Sequence, residues 1–324
     1  MLVSSAADWV AGEGMPGLVS VVIPTYNRAP VLGETLASVA AQTHRPIEVL
    51  VVDDGSEDDT SAVVEAFAHE RADAGLMVRY EVQVNAGAPA ARNRGAALSS
   101  GRFVQFLDSD DLLLEGKLAA ALAAMQDPSV MFVSHDYARF EGTPDHLVEW
   151  SNLSERSSDP AAHIRENRLH TLSAVYRREA LNRIGPWDED LRIWQDTEFC
   201  LRVLLSGLRG LWLPSRGGLV RDTPGSIMNT EVERSWASML HTAQRMEAVA
   251  LDRGVLDDAF RASMGTRLAT ISRRLAEAGL WDASGVMFEE GLARLGALAR
   301  TRHRLHRGAM RVVGCRALRA IGLM

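Results

Sequence analysis

The chain has 324 residues, of which 47% are hydrophobic and 24% charged, a globular composition with ample material for a core. A formal net charge of −7 excludes non-specific nucleic-acid binding as its main work. The two cysteines, Cys200 and Cys315, imply no disulfide framework and suit a reducing compartment.

Met1 to Gly17 has neither a basic n-region nor a long apolar stretch, so no signal peptide is expected. No apolar run reaches the roughly 18 residues a membrane span needs. These features point to a cytoplasmic protein. The charge is unevenly placed: eight arginines and no acid follow Gly291, so a basic tail hangs on an acidic body. Such a tail fits peripheral contact with an anionic membrane, self-association, or packing with a solvated face.

Leu18–Ile23 reads as an apolar strand ending at Pro24, and Pro30–Gln42 carries helical spacing. Ile47–Val52 is a second strand, running into Asp53-Asp54-Gly55-Ser56. Asp58-Asp59-Thr60 caps a helix through about His69. Met77–Val84 is a third strand, and Pro89–Leu98 a helix with proline in its first turn. Phe103–Leu107 is a fourth strand that meets three carboxylates, Asp108, Asp110 and Asp111, ahead of a helix expected over Leu112–Met125. Strands alternating with helices give βαβ units and a mostly parallel sheet.

Val130–Ser134 is expected to be another strand, and Phe140–His170 an irregular segment. Thr171–Tyr176 reads as a strand, Arg178–Ile184 and Asp196–Ser206 as helices, and Leu211–Leu213 as a short strand. From Glu231 the pattern is helical: Glu231–Ala250, Asp257–Ala278, Trp281–Leu298 and Thr301–Ile321. The expected organisation is an α/β domain over residues 1–228 and a helical region over 229–324.

Carboxylates in a D-x-D spacing at a strand end suit a hard divalent cation that also bridges a diphosphate. Taken alone, the same acids also fit a helix-capping turn. Tyr26, after the first strand, fits base stacking or half-burial. Asp54 fits a ribose or base contact, or a capping turn. Arg92 fits a phosphate or a solvated helix face.

Four stretches together, Val19–Arg28, Val49–Thr60, Asn85–Gly95 and Phe103–Asp111, resemble family 2 glycosyltransferases of the GT-A fold. The agreement is close over residues 18 to about 126 and looser to about Ser226. The resemblance implies a Rossmann-like sheet, a nucleotide-diphospho-sugar donor, a Mn²⁺ or Mg²⁺ cofactor, and transfer with inversion. It implies Thr25, Tyr26 and Asp54 around the base, Arg92 near the nucleotide, Asp108 near the ribose and Asp110 on the metal. Ile184–Leu191 resembles the family's acceptor-side segment, with Trp187 and Trp194 flanking the region.

Gln195-Asp196 stands where the family commonly has Glu-Asp, which makes Asp196 the implied catalytic base and Glu198 the fallback. An inverting reaction needs a carboxylate to take the acceptor's proton from a segment other than the metal acids. Arg221 is the implied partner of the diphosphate. Thr223 stands where many members carry a histidine, so a third protein ligand to the metal is missing from that run. The donor is expected to be a UDP-, dTDP- or GDP-sugar, and the acceptor a glycan or small molecule. The rival readings are a non-catalytic sugar-nucleotide or glycan-binding module on the same fold and a dinucleotide oxidoreductase. Pro24-Thr25-Tyr26-Asn27 in place of a glycine-rich fingerprint disfavours the last.

Overall fold

The computed structural model describes residues 9–71, 75–150, 159–166, 169–222 and 232–295. They form two compact units. Of these residues, 9–71, 75–150, 169–191 and 195–222 make up the first, and 159–166, 192–194 and 232–295 the second. Two short segments within the span expected for the α/β domain therefore belong to the second unit.

The first unit begins with strand β1 (Met15–Thr25), helix α1 (Ala29–Ala40), β2 (Ile47–Asp53), α2 (Thr60–Glu70), β3 (Leu76–Val82), α3 (Ala88–Leu98) and β4 (Gly101–Phe106). It continues with β5 (Leu112–Leu113), α4 (Lys117–Ala124), β6 (Phe132–Phe140), β7 (Leu147–Trp150), a 3-10 turn (Thr171–Ser173), β8 (Ala174–Arg177), α6 (Arg178–Ile184), α7 (Gln195–Leu205) and β9 (Gly210–Arg221). Helix α5 (Pro160–Glu166), which falls between β7 and the 3-10 turn in the chain, belongs to the second unit.

The sheet runs β3-β2-β1-β4-β8-β6-β9-β5, with β7 paired to β6. β3, β2, β1 and β4 are mutually parallel. β8 is antiparallel to both β4 and β6, β6 is parallel to β9, and β5 is antiparallel to β9.

The parallel strands are apolar on both faces because helices cover both. Val19, Val21 and Ile23 of β1 join Leu32 and Leu36 of α1, Val64 of α2 and Leu118 of α4 in one core. Val22 of β1 and Leu50 of β2 face a second core with Ala96 of α3, Leu181 of α6 and Phe199 of α7. Helix α3 sits very close to the sheet at Gly95, where an added Cβ would lie 2.4 Å from Val22 Cγ1 and 3.1 Å from Val52 Cγ2.

Several expectations are corrected. Leu112–Leu113 pairs with β9 as a strand, and the following helix begins only at Lys117. β6 runs to Phe140 and β9 from Gly210 to Arg221, both longer than their apolar runs suggested. Their mutual pairing supplies the hydrogen bonds that a local pattern cannot show. The supposedly irregular Phe140–His170 contains β7 and α5.

In the second unit, helices α8 (Val232–Asp252), α9 (Asp258–Glu277) and α10 (Trp281–Arg294) follow one another. Asp257 caps α9, accepting from Phe260 N at 2.8 Å. Ser272 and Ser284 bond reciprocally between α9 and α10, and Arg294 forks onto Glu247 at 2.6 and 2.8 Å. No described helix is long and apolar enough to cross a membrane. Thr223, Cys315, the helix expected over Thr301–Ile321 and every arginine of the basic tail except Arg294 lie outside the described residues.

Candidate active site

The order of the parallel strands reverses at β1: β2 and β3 lie to one side of it, β4 to the other. In open α/β sheets a ligand crevice opens outside the strand ends at such a switch point. The loops after β1, β2 and β4 meet there.

β1 ends at Thr25, whose buried Oγ1 has no hydrogen-bond partner. Tyr26 follows, 46% exposed, with a face available for stacking. Asn27 takes the left-handed conformation (φ 51°), and its side chain accepts from Glu57 N at 2.8 Å. Its own N–H donates to Ser56 Oγ at 2.8 Å, so the β1 and β2 loops are tied together. Asp54 is buried and accepts from Gln83 Nε2, Ala86 N and Gly87 N, each at 2.8 Å. It therefore shapes the turn that opens α3, and three of its acceptor positions are filled from within the protein.

Arg92 of α3 is buried rather than solvated. It donates to Asp108 Oδ1 at 2.6 Å and to Gln195 Oε1 at 2.8 Å, and its Cζ lies 4.5 Å from the centre of the Trp187 ring. This one guanidinium links the acid at the end of β4 to the first turn of α7, where Asp196 sits.

The acids after β4 do not cap α4, whose N-cap is Gly116. Their arrangement serves the crevice instead. Asp110 is held above the ordinary carboxylate range by burial and by Asp108, against the pull of Arg28, whose Nε is 3.8 Å from Asp110 Oδ2. Asp111 is pushed well up by burial and then by Asp110 and Asp108. It accepts from Arg221 N at 2.9 Å. Such packed carboxylates repel one another and are relieved by a cation.

Asp108 and Asp111 are joined by His170, each offering one ligand atom within 4.8 Å of the others. The His170 Nδ1 is buried, has no hydrogen-bond partner, and lies 3.8 Å from Asp111 Oδ2. The residues thus fit a divalent cation. Asp110 is outside this group of three.

Arg221 is engaged on every side. It donates to Glu34 Oε2 at 2.6 Å, the Asp110 carbonyl at 3.0 Å and the Gly142 carbonyl at 3.2 Å, and it covers the Phe140 ring. Arg28, with 42% of its side chain exposed, is the more accessible cation near these acids. Glu198 is nearly buried, with both oxygens bound by Arg202 at 2.8 and 2.9 Å, so it is poorly placed to act as a base. Asp196, in the same first turn, is half-buried.

The two tryptophans are core residues. Trp187 is 2% exposed, stacked on Phe199 at 4.0 Å and edge-on to Phe106. Its ring backs Arg92 and is closed to an acceptor. Trp194, in the second unit, is buried in a left-handed conformation (φ 56°) with Arg267 4.1 Å from its ring centre. His170, Asp111 and Arg28 were not singled out from the sequence as site residues. Arg28 and Asp111 are the last residues of two of the recognised stretches, whereas nothing local marks His170.

The sequence model of glycosyl transferase family 2 matches residues 20–185, and that of glycosyl transferase family group 2 matches residues 103–281. An uncharacterised glycosyltransferase of Nostoc sp. is 32% identical over 185 residues, 55% of this chain and 56% of the relative. The chain thus spans little more than half of that relative's length. An Escherichia coli protein, the UDP-Glc:alpha-D-GlcNAc-diphosphoundecaprenol beta-1,3-glucosyltransferase WfgD, is 36% identical over 226 residues, covering 68% of this chain and 84% of the relative.

Among solved structures, residues 1–349 of Staphylococcus aureus TarS superpose with a TM-score of 0.65 at 22% identity, covering 90% of this chain and 87% of that one. The mannosyltransferase PcManGT of Pyrobaculum calidifontis, solved with GDP-Man and Mn²⁺, gives 0.55 at 22% identity, covering 94% and 83%. These structural likenesses show the fold, which is GT-A-like. The chain belongs to glycosyl transferase family 2.

Proposed function

We propose that this protein is a metal-dependent inverting glycosyltransferase that moves a sugar from a nucleotide-diphospho-sugar to an acceptor hydroxyl or amine. The observation that carries the reading is the Arg92 bridge, which joins the acid cluster after β4 to the turn bearing Asp196. Leaving-group side and base side are thereby held by one buried side chain. The name of WfgD, which includes UDP-Glc, and the GDP-Man with which PcManGT was solved support a nucleotide-sugar donor.

The nucleoside would enter at the strand ends, with Tyr26 against the base and the Thr25 hydroxyl offering it a hydrogen bond. Asp54 maintains the loop wall, and Asp108 faces the ribose side. A divalent cation at the acid cluster would neutralise charge on the departing diphosphate. Asp196 takes the acceptor's proton as the acceptor oxygen or nitrogen bonds to the anomeric carbon from the opposite face. The bond from that carbon to the diphosphate oxygen breaks, and the diphosphate leaves with the electron pair. Arg28, exposed beside Asp110, is placed to meet phosphate charge. The acceptor class, a glycan or a small molecule, follows from the resemblance alone.

Calorimetric titration with UDP, dTDP and GDP, each with and without Mn²⁺, tests the donor site. Metal-enhanced binding of one nucleotide is the expected result, and it names the base. Binding of none, with metal present, favours a non-catalytic module on the same fold.

A further inference from the structure

At the end of the sheet opposite the acids, the segment before β1 is tied down at both ends. Trp9 Nε1 donates to the Leu181 carbonyl at 2.8 Å. Asn182 of α6 holds Val10 from both sides, accepting from its N–H and donating to its carbonyl, each at 3.1 Å. Met15 N then donates to the Ser100 carbonyl at 2.8 Å as β1 begins. Between these anchors Gly14, with φ 72°, lies so close to β4 that an added Cβ would sit 2.5 Å from the Gly101 carbonyl oxygen. Gly12 and Glu13 thereby wall a cavity of about 420 Å³, whose other sides are the start of β4 and the junction of β8 with α6. Arg102, on its lining, stands six residues before Asp108, roughly 20 Å along an extended strand. The cavity is therefore separate from the crevice.

Four arginines line it: Arg102 of β4, Arg177 at the end of β8, and Arg178 and Arg183 of α6. Arg177 and Arg178 are only 5% and 2% exposed, yet their guanidiniums meet backbone rather than carboxylates. Arg178 donates to the carbonyls of Ser99, Gly101 and Ala11 at 2.6, 2.8 and 3.2 Å, and to Ser99 Oγ at 2.7 Å. Arg177 donates through Nε to the Val130 carbonyl at 2.7 Å and through Nη2 to those of Met125 and Asp127 at 2.6 and 3.3 Å. Its Nη1 is left without a hydrogen bond among the described residues. None of the four forms an ion pair among the described residues. Carbonyls orient a guanidinium but do not cancel its charge, and a buried charge without a counter-ion is costly. Burial, with Arg102 beside it, holds Arg177 below its ordinary pKa, and burial does the same to Arg178 against the pull of Glu48. Glu13 and Glu179, the acids on the lining, are exposed, and the lining keeps a net charge of +2.

We propose that this cavity is a second ligand site, which takes a small molecule carrying a phosphate monoester or diphosphate group. The charge of such a group offsets that of the lining, and guanidinium forks match its oxygens. The volume falls in the range of small-molecule pockets and leaves room for an organic body beyond the phosphate. Arg177 and Arg178 are fixed by backbone carbonyls in advance, so binding does not have to order them. The inference stands independently of the transferase reading.

The test is calorimetric titration of the full chain with inorganic pyrophosphate in the presence of EDTA, which prevents a metal-held diphosphate in the crevice from being counted. Saturable binding is expected. Arg102→Ala combined with Arg183→Ala should weaken it at least about tenfold, the scale on which a single charge-assisted contact acts. Labelling of the wild type with p-hydroxyphenylglyoxal, mapped by peptide mass spectrometry, locates the anion. Pyrophosphate should protect Arg102 and Arg183 and leave Arg28, beside the crevice acids, as reactive as before. No binding, or binding undiminished in the double variant, overturns the proposal, as does protection of Arg28 in place of Arg102 and Arg183. Should the double variant not fold, judged by circular dichroism, the labelling pattern of the wild type decides.

Discussion

Asp196 and Glu198 lie two residues apart on α7, and their surroundings separate their roles. Glu198 is committed to a two-pronged pair with Arg202, whereas Asp196 occupies the end of the helix that Arg92 braces through Gln195. If Asp196 is the base, Asp196→Asn preserves shape but cannot accept a proton. We expect turnover to fall about a thousandfold with donor affinity nearly unchanged. Single-turnover assays alongside calorimetry check this, and near-full turnover would remove Asp196 from the mechanism. Arg92 carries a lesson of the same scale. Its sequence context fits a phosphate contact as well as a solvated face, yet its guanidinium is a buried strut between Asp108 and Gln195, backed by Trp187.

The elements around the site depend on close approach more than on helix or strand preference. Helix α3 brings Arg92 to the crevice because Gly95 lets it settle against Val22 and Val52. Gly95→Ala would place a methyl inside the contact distance of Val22, so α3 must lift. We expect a loss of about 2 kcal/mol, the usual scale for overpacking a core, despite the better helix propensity of alanine. Urea unfolding measures it, and an unchanged or raised midpoint would refute the tight-packing account. The acids after β4 show the converse case. Their sequence also reads as a helix cap, but two residues pair with β9 and a turn intervenes before α4, so the carboxylates face the crevice.

At the scale of the molecule, the interior of the first unit holds a lone histidine and the chain's single lysine side by side. His135 is buried with neither ring nitrogen hydrogen-bonded, and burial together with the Lys117 charge lowers its pKa from 6.5 to about 3. Between those values the unfolded chain binds a proton that the folded chain excludes. Stability is therefore lost as pH falls through that window. Asp110 and Asp111, with raised values, act in the opposite sense and soften the acid limb. His135→Leu should flatten the fall of melting temperature across the window, measured by thermal unfolding at a series of pH values. An unchanged slope would show that His135 contributes none of it.

The sequence by itself determined the alternating half of the fold. Apolar runs such as Ile47–Val52 report burial on both faces, and the turn residues between them mark each crossover. It also placed Asp108, Asp110, Asp111 and Asp54 at strand ends, because a motif continuous in the chain is legible there. The long β6–β9 pairing was not legible, since its hydrogen bonds join segments far apart in sequence. Nor was the meeting of His170 with Asp108 and Asp111, which lie about sixty residues earlier in the chain. Neighbours of that kind are made by the order of strands in the sheet, and local residue patterns carry no record of them. The tertiary structure alone decided which charged groups face the crevice and which, like Arg92 and Arg221, are bound up within the protein.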